Sequence, residues 1–407
     1  MRRTLLFPVI LASASTLLML AAWRGDAQRG NPPGGGGPPP PPVPRPLPDL
    51  TPDQLTAFRA GAKEFTTVET RADGLGVVFN GVACAECHRA GGAGGAGMDL
   101  TVSRVSRIGG IRKGVYSDLA ELGGPVIQAR SLREFFPDCP VPGEIVPPSA
   151  DFKSHRITTP LFGAGLIEAI PDAAILSRSG KVGVDGVQGV ANRVLNPETG
   201  LLEVGRFGWK AQHSSLHLFA GDAYLNEMGV SSPSFPVENQ PQGKPIPPGW
   251  GGIGVESDGT DVNLFTDFMR FLGAPLPARN DSVQQAGARL FDQIHCSACH
   301  VPTMQTGSNS VAALSHKNVA LYSDLLLHRM GPALADGIQQ GQSKGDQWRT
   351  APLWGLSSRQ FFLHDGRART PDEAVLLHDG EAAPSRNRYR SLSPPDRRAL
   401  QQWLSSL

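Results

Sequence analysis

The stretches "NGVACAECHRAGG" (residues 80–92) and "DQIHCSACHVP" (292–302) decide how this chain is read. Each contains Cys-x-x-Cys-His, and together they use four of the five cysteines. Two thiols on one helical turn can each bond a vinyl group of a porphyrin, and the next histidine then lies beneath the ring, where its imidazole binds iron. Zinc sites of four cysteines place two close pairs roughly 15–20 residues apart; here more than 200 residues separate the pairs. Redox-active thiols or a structural disulfide would leave the repeated histidine unexplained. The pattern predicts two covalently bound haem c groups, held by Cys84 and Cys87 and by Cys296 and Cys299, with His88 and His300 as proximal iron ligands. Cys139, in "FFPDCPVPG", is left as a lone buried cysteine.

Working outward, each motif follows a similar helix. In "LTPDQLTAFRAGAKEF", Thr51 is a predicted N-cap, Pro52 stands at the first helical position and Gln54 completes a capping box. Leu55, Phe58, Ala62 and Phe65 share one face. "DSVQQAGARLF" (281–291) precedes the second motif and shares the "AGA" segment. Downstream lie "RITTPLFG" (156–163) and "RTAPLWG" (349–355). Each half then closes on a helix rich in aromatics: "TDVNLFTDFMRFLG" (260–273), with Gly273 as its predicted C-cap, and "SPPDRRALQQWLSSL" (393–407), capped by Ser393. The shared glycines, Gly61 and Gly287, predict close helix crossings, with Gly287 facing Trp403. The fold class expected is mainly α: two cytochrome c-like haem domains, 50–275 and 276–407, with long loops. Insertions, roughly 100–155 and 164–255, lengthen the first, and the hinge is "GAPLPARND" (273–281).

The start of the chain reads as an export signal over 1–27: Arg2 and Arg3, an apolar run, then small residues. A Pro/Gly-rich tether follows over 28–49, too poor in core formers to pack. An uncleaved anchor would be the one route to a membrane. With 38 basic and 37 acidic residues the formal charge is +1, which provides no field to attract nucleic acid or an anionic surface. The expected location is periplasmic or otherwise exported.

The sixth coordination position of each iron decides the chemistry. A thioether or second imidazole makes an electron carrier; a labile position admits a substrate oxygen. For the second haem Met330, thirty residues past His300, is the leading candidate. His328 and His364 compete, His316 and His378 less so, and Met304 is too close in sequence to reach the far face. For the first haem, Met98 is too near His88 and Met228 is far along the chain, so His155, His213 and His217 stay open. The run "GGAGGAG" (91–97) reads as a flexible loop beside the ring.

The segments "DGLGVVFNGVACAECH", "TPLFGAGLIEAIPD", "GRFGWKAQHSSLHLFAGDAYLNEMG", "SDLLLHRMGPALADG" and "WRTAPLWGLSSRQFFLHDGRART" resemble the bacterial di-haem cytochrome c peroxidase-like family. The nearest branch is its di-haem oxidoreductases, labelled peroxidases or thiol oxidoreductases. The resemblance covers about Leu50 to Leu407. It implies that the C-terminal haem relays electrons, with His300 and Met330 as ligands, to a reactive N-terminal haem that can open to peroxide. It also implies an aromatic bridge between the haems, Trp209 or Phe207, and a proton-transferring glutamate at Glu227. A small cytochrome or cupredoxin would donate the electrons. Calcium between the domains is known in the family, but no ligand set stands out here. The glutamine common a few residues before the glutamate is replaced by Leu218 and Phe219. Two other functions remain open: an electron-transfer cytochrome without turnover, and oxidation of another small substrate such as a sulfur compound.

Overall fold

Thr51 ends the extended lead-in and starts the first helix, α1 (Pro52–Thr66), through the expected capping box. Its hydroxyl accepts from the Gln54 amide at 3.3 Å, and the Gln54 side chain accepts from the Thr51 amide at 3.0 Å. The computed structural model describes residues 45–252, 254–276 and 282–407. The export signal, most of the tether and part of the hinge lie outside the described residues.

Four further helices frame the molecule: α2 (Leu216–Met228), α3 (Thr260–Phe271), α4 (Ser282–Gln293) and α5 (Pro394–Leu404). Phe58, Ala62 and Phe65 of α1 are buried against α3. The crossing is close because of Gly61: a Cβ there would sit 2.2 Å from the Leu264 carbonyl oxygen. The second half repeats this. A Cβ on Gly287 would lie 2.4 Å from the Cβ of Trp403 and 2.5 Å from the Ala399 carbonyl oxygen, so α4 and α5 meet as predicted. Trp403 then packs on Phe291, with ring centres 4.8 Å apart. Ser393 caps α5, accepting from the Asp396 amide.

Three expectations are corrected. First, "mainly α" holds only in part. Residues 104–157 form an antiparallel sheet of β1 (Arg104–Arg112), β2 (Val115–Ser117), β3 (Val126–Ile127) and β4 (Phe152–Ile157). β1 pairs with each of the others, and Lys113 and Gly114, both with positive φ, form the tight turn to β2. The sheet closes over its own small core of Ile108, Leu119 and Ile127. Second, Gly273 is not a left-handed cap. The helix ends at an extended Leu272, and the Gly273 amide donates to the Arg45 carbonyl at 3.0 Å. Third, that bond places the end of the tether in the fold: the Leu47 amide donates to the Phe271 carbonyl at 2.7 Å, and the Leu47 side chain is buried. Among the described residues no helix is long and apolar enough to cross a membrane.

Candidate functional site

The first motif forms a single helical turn, Cys84–Cys87, with His88 directly after it. His88 Nδ1 donates to the Gly95 carbonyl at 3.1 Å, leaving Nε2 with the lone pair an iron needs. Gly95 reaches that position because the glycine run is a folded turn rather than a slack loop. Ala90 pairs with Ala96, Gly91, Gly92 and Gly94 take positive φ, and a Cβ on Gly95 would overlap the Ala90 carbonyl. Burial lowers the His88 pKa to about 4 against the pull of nearby carbonyls, so the ring is neutral, as a ligand must be. Burial also pushes both thiols well above their ordinary range. That disfavours the thiolate that zinc binding or disulfide exchange requires.

Cys84, Cys87 and His88 border a cavity of about 160 Å³, whose far walls come from α2 and the sheet. On α2, Ala220, Ala223, Tyr224 and Glu227 recur at helical spacing along the cavity. Gly229, left-handed, ends the helix just beyond Glu227. The loop before the motif grips that end: the amides of Asn80 and Gly81 donate to the Glu227 carbonyl, and Asn80 Nδ2 donates to Glu227 Oε2 at 3.1 Å. Burial raises the Glu227 pKa to about 7, opposed by the charge of Arg107 and by the Asn80 bond. On β1, Val105 and Arg107 face the cavity because alternate strand residues share a face. Arg107 Nε is buried there without a partner.

The second motif is a short turn over Cys296–Ala298. His300 Nδ1 donates to the Tyr322 carbonyl at 2.9 Å, repeating the first site's arrangement. Burial, with the charge of His378, lowers its pKa to about 4, and burial raises the Cys296 thiol to about 12. The larger cavity beside these residues, about 210 Å³, is bordered by Met330, His364 and His378 as well as apolar side chains. Met330 follows β5 (Leu327–Arg329), which pairs with β6 (Gln347–Arg349). Its amide is held by the Asp346 carbonyl at 3.0 Å.

Trp209 borders both cavities. Its indole N–H donates to the Ile157 carbonyl at 2.8 Å, and its carbonyl accepts from the Arg349 amide at 2.9 Å. Edge-on contacts at 6.5 Å join it to Trp348 and to His364, which stack on each other 3.8 Å apart. Phe207 instead packs on Phe219 in the core and borders neither cavity.

The histidines left open for the first site do not line its cavity. His155 alternates with Arg156 on β4, so when Arg156 faces in, His155 faces out and meets Ser106 Oγ at 3.0 Å. His213 lies 3.2 Å from Asp222, and His217 3.0 Å from Glu198. In the second site His328 is engaged at both nitrogens, 2.9 Å from Asp324 and 2.8 Å from Glu381, and His316 bonds Ser308 outside the cavity. The missing glutamine near Leu218 does not leave the first cavity apolar. Gln212, Arg107, Arg156 and Asp222 also border it. Sequence reading missed these residues because three of them reach the cavity through strand pairing or a turn, with no motif of their own. Cys139 is buried and free, as expected.

The donor set suits a porphyrin at each site: paired thiols, a neutral imidazole with one nitrogen uncommitted, and a largely apolar cavity. Residues 150–407 match a family model described as "Di-haem oxidoreductase, putative peroxidase". No curated protein matches the chain. Among solved structures, hydrazine synthase of Kuenenia stuttgartiensis is similar over 98% of this chain and 100% of its own, at 14% identity and a TM-score of 0.41. A MauG-like protein associated with microbial copper homeostasis is similar over 92% and 94%, at 14% identity and 0.40. The diheme peroxidase BthA of Burkholderia thailandensis follows with 81% and 72%, at 14% identity and 0.38. Overlays this loose carry no weight. The family match spans well over half of the chain: the protein belongs to the di-haem oxidoreductase family, and haem is its cofactor.

Proposed function

We propose that this chain is an exported peroxidase-type enzyme carrying two haem c groups, one on Cys84 and Cys87 with His88, the other on Cys296 and Cys299 with His300. When bound, haem supplies an iron that changes oxidation state and can take a substrate oxygen. The protein divides the work between the two cavities. In the first, Glu227 accepts a proton from the incoming peroxide and returns it to the departing oxygen, beside the positive charge of Arg107. In the second, Met330, which borders the same cavity as His300, would serve with it to hold the iron and would make that site a relay. The balance is hydrogen peroxide plus two electrons and two protons giving two waters. The electrons come from a small cytochrome or cupredoxin through the second site.

One observation carries this reading. Trp209 borders both cavities, and its two backbone and side-chain bonds hold it there. A protein that merely stored electrons would have no use for a cavity carboxylate whose pKa is raised to about 7, as that of Glu227 is, whereas that of Glu381 in the second cavity is lowered. The test is a pyridine haemochrome assay on protein matured in a host competent for cytochrome c, followed by stopped-flow mixing of the half-reduced protein with peroxide. Two haem c per chain are expected, with peroxide reacting at the first site and the second site reoxidised afterwards. Trp209→Phe should slow that second phase and leave the first. If neither iron binds peroxide or cyanide, the electron-transfer reading replaces this one.

A further inference from the structure

The second cavity is bordered by two guanidinium groups, Arg349 and Arg359, that form no ion pair among the described residues. Arg349 Nε donates to the Gly208 carbonyl at 2.8 Å and Nη1 to the Thr350 carbonyl at 3.4 Å. Arg359 Nη2 donates to the carbonyls of Pro352 and Trp354 at 3.0 and 3.1 Å, while its Nε is buried with no partner. Every one of these acceptors is neutral. Both side chains border the cavity. Burial lowers each pKa to about 10, helped at Arg349 by the charge of Arg359. The carboxylate that offsets Arg349 is Asp324, which is committed to His328. The two fully buried arginines are paired: Arg156 with Asp336 at 2.7 Å, and Arg206 with Asp172. A buried cation without a counter-charge is strongly destabilising unless a partner arrives.

We propose that Arg349 and Arg359 receive the two propionate carboxylates of the porphyrin in the second cavity, and that Arg349 couples that ligand to Trp209. This rests on the reading that haem c occupies the site. Two carboxylates match two cations in number and sign, and a guanidinium fork suits a carboxylate. The coupling follows from the chain itself. Arg349 closes β6, its amide holds the Trp209 carbonyl, and its Nε holds the Gly208 carbonyl beside it. A propionate bound to Arg349 therefore fixes the residue that fixes the bridging indole. Arg349 is a positioning residue, acting on electron passage through Trp209 rather than on peroxide.

The test uses the fully matured protein and its redox titration, followed optically. An oxidised haem carries one more positive charge than a reduced one, so cations beside it favour reduction. Arg359→Gln should lower the potential of the second haem and leave the first unchanged, and Arg359→Lys should restore most of the loss. Arg349→Gln should lower it likewise and also slow electron passage between the sites, which Arg359→Gln should not. Should the Gln variants fail to mature, Arg359→Lys and the propionate-bending band in resonance Raman spectra of the unaltered protein take their place. A band at the frequency of unbonded propionates in the unaltered protein, or potentials unmoved by these substitutions at full haem loading, overturns the inference. Absence of a haem-bearing peptide containing Cys296 and Cys299 would instead overturn the underlying reading.

Discussion

The two cavities share an anchor and differ in their far walls. Each places its Cys-x-x-Cys-His turn under a helix pair that crosses at a glycine, Gly61 or Gly287. Each ties the histidine Nδ1 to a backbone carbonyl, Gly95 or Tyr322, and holds the ring neutral by burial. Opposite the anchor the likeness ends. The first cavity meets Glu227 from α2 and Arg107 from β1; the second meets Met330 beyond β5. On the proposed reading, the anchor determines what is bound, and the wall facing it determines what the bound group can do. The sheet, which lies in the inserted region of the first half, is thus a source of functional difference as well as bulk.

The sharpest way to break the comparison is to remove one anchor at a time. Cys84→Ala with Cys87→Ala should abolish peroxide turnover and leave one haem c, at the second site. Cys296→Ala with Cys299→Ala should leave the other haem, able to bind peroxide but cut off from its electron donor. Haem stoichiometry and turnover together check this, and equal phenotypes would mean that the cavities are not specialised.

Next in size is Glu227→Gln, expected to cost about 10²–10⁴-fold in turnover, the range for loss of a positioned proton carrier. Its pKa is raised to about 7 by burial, so the carboxyl is protonated below that pH and able to accept a proton above it. Turnover should rise through pH 7 in the unaltered protein and lose that rise in the variant. The same shift bears on stability. The folded state holds a proton that the unfolded chain releases near the ordinary carboxylate value, so the cost of burying Glu227 grows as pH rises toward 7 and is complete above it. Glu227→Gln should flatten that part of a stability profile measured by denaturant unfolding.

How much of this could be read from the residues follows from range. The cysteine motifs, both glycine crossings, the capping box at Thr51 and the cap at Ser393 depend on neighbours within a turn or on a repeat between halves, and each was legible. The resemblance pointed to Glu227 and left Trp209 or Phe207 open; of these, Glu227 and Trp209 border the cavities and Phe207 does not. Arg107, by contrast, reaches the first cavity because β1 pairs with β4 in the register Arg107 to Ser154, a long-range fact. Arg349 and Arg359 stand out only once the missing counter-charges can be seen. The sheet itself had a local sign: Lys113-Gly114 between alternating segments is a hairpin turn.

Met330 sharpens the comparison at the level of one ligand. Met330→Ala should erase the weak long-wavelength absorption of a thioether bound to ferric iron and lower the second potential. The first site's spectrum should stay as it was. His378 borders the same cavity with Nδ1 donating to the Ala374 carbonyl at 2.7 Å, so its Nε2 is also uncommitted. If His378→Ala moves the spectrum and Met330→Ala does not, the relay has two histidine ligands.

The smallest expected effect concerns the shared crossings. Gly61→Ala and Gly287→Ala each force a methyl against backbone, and overpacking of this kind costs about 1–3 kcal/mol. Gly287 meets the Cβ of Trp403 and the Ala399 carbonyl, whereas Gly61 meets the Leu264 carbonyl at 2.2 Å and the Phe268 backbone as well. α3 is also held by the tether through Leu47 and Gly273, so it has less freedom to shift away. Gly61→Ala should therefore lower the thermal midpoint more than Gly287→Ala. An unchanged midpoint for Gly287→Ala would show that α5 moves aside, and that the second anchor tolerates a looser helix pair than the first.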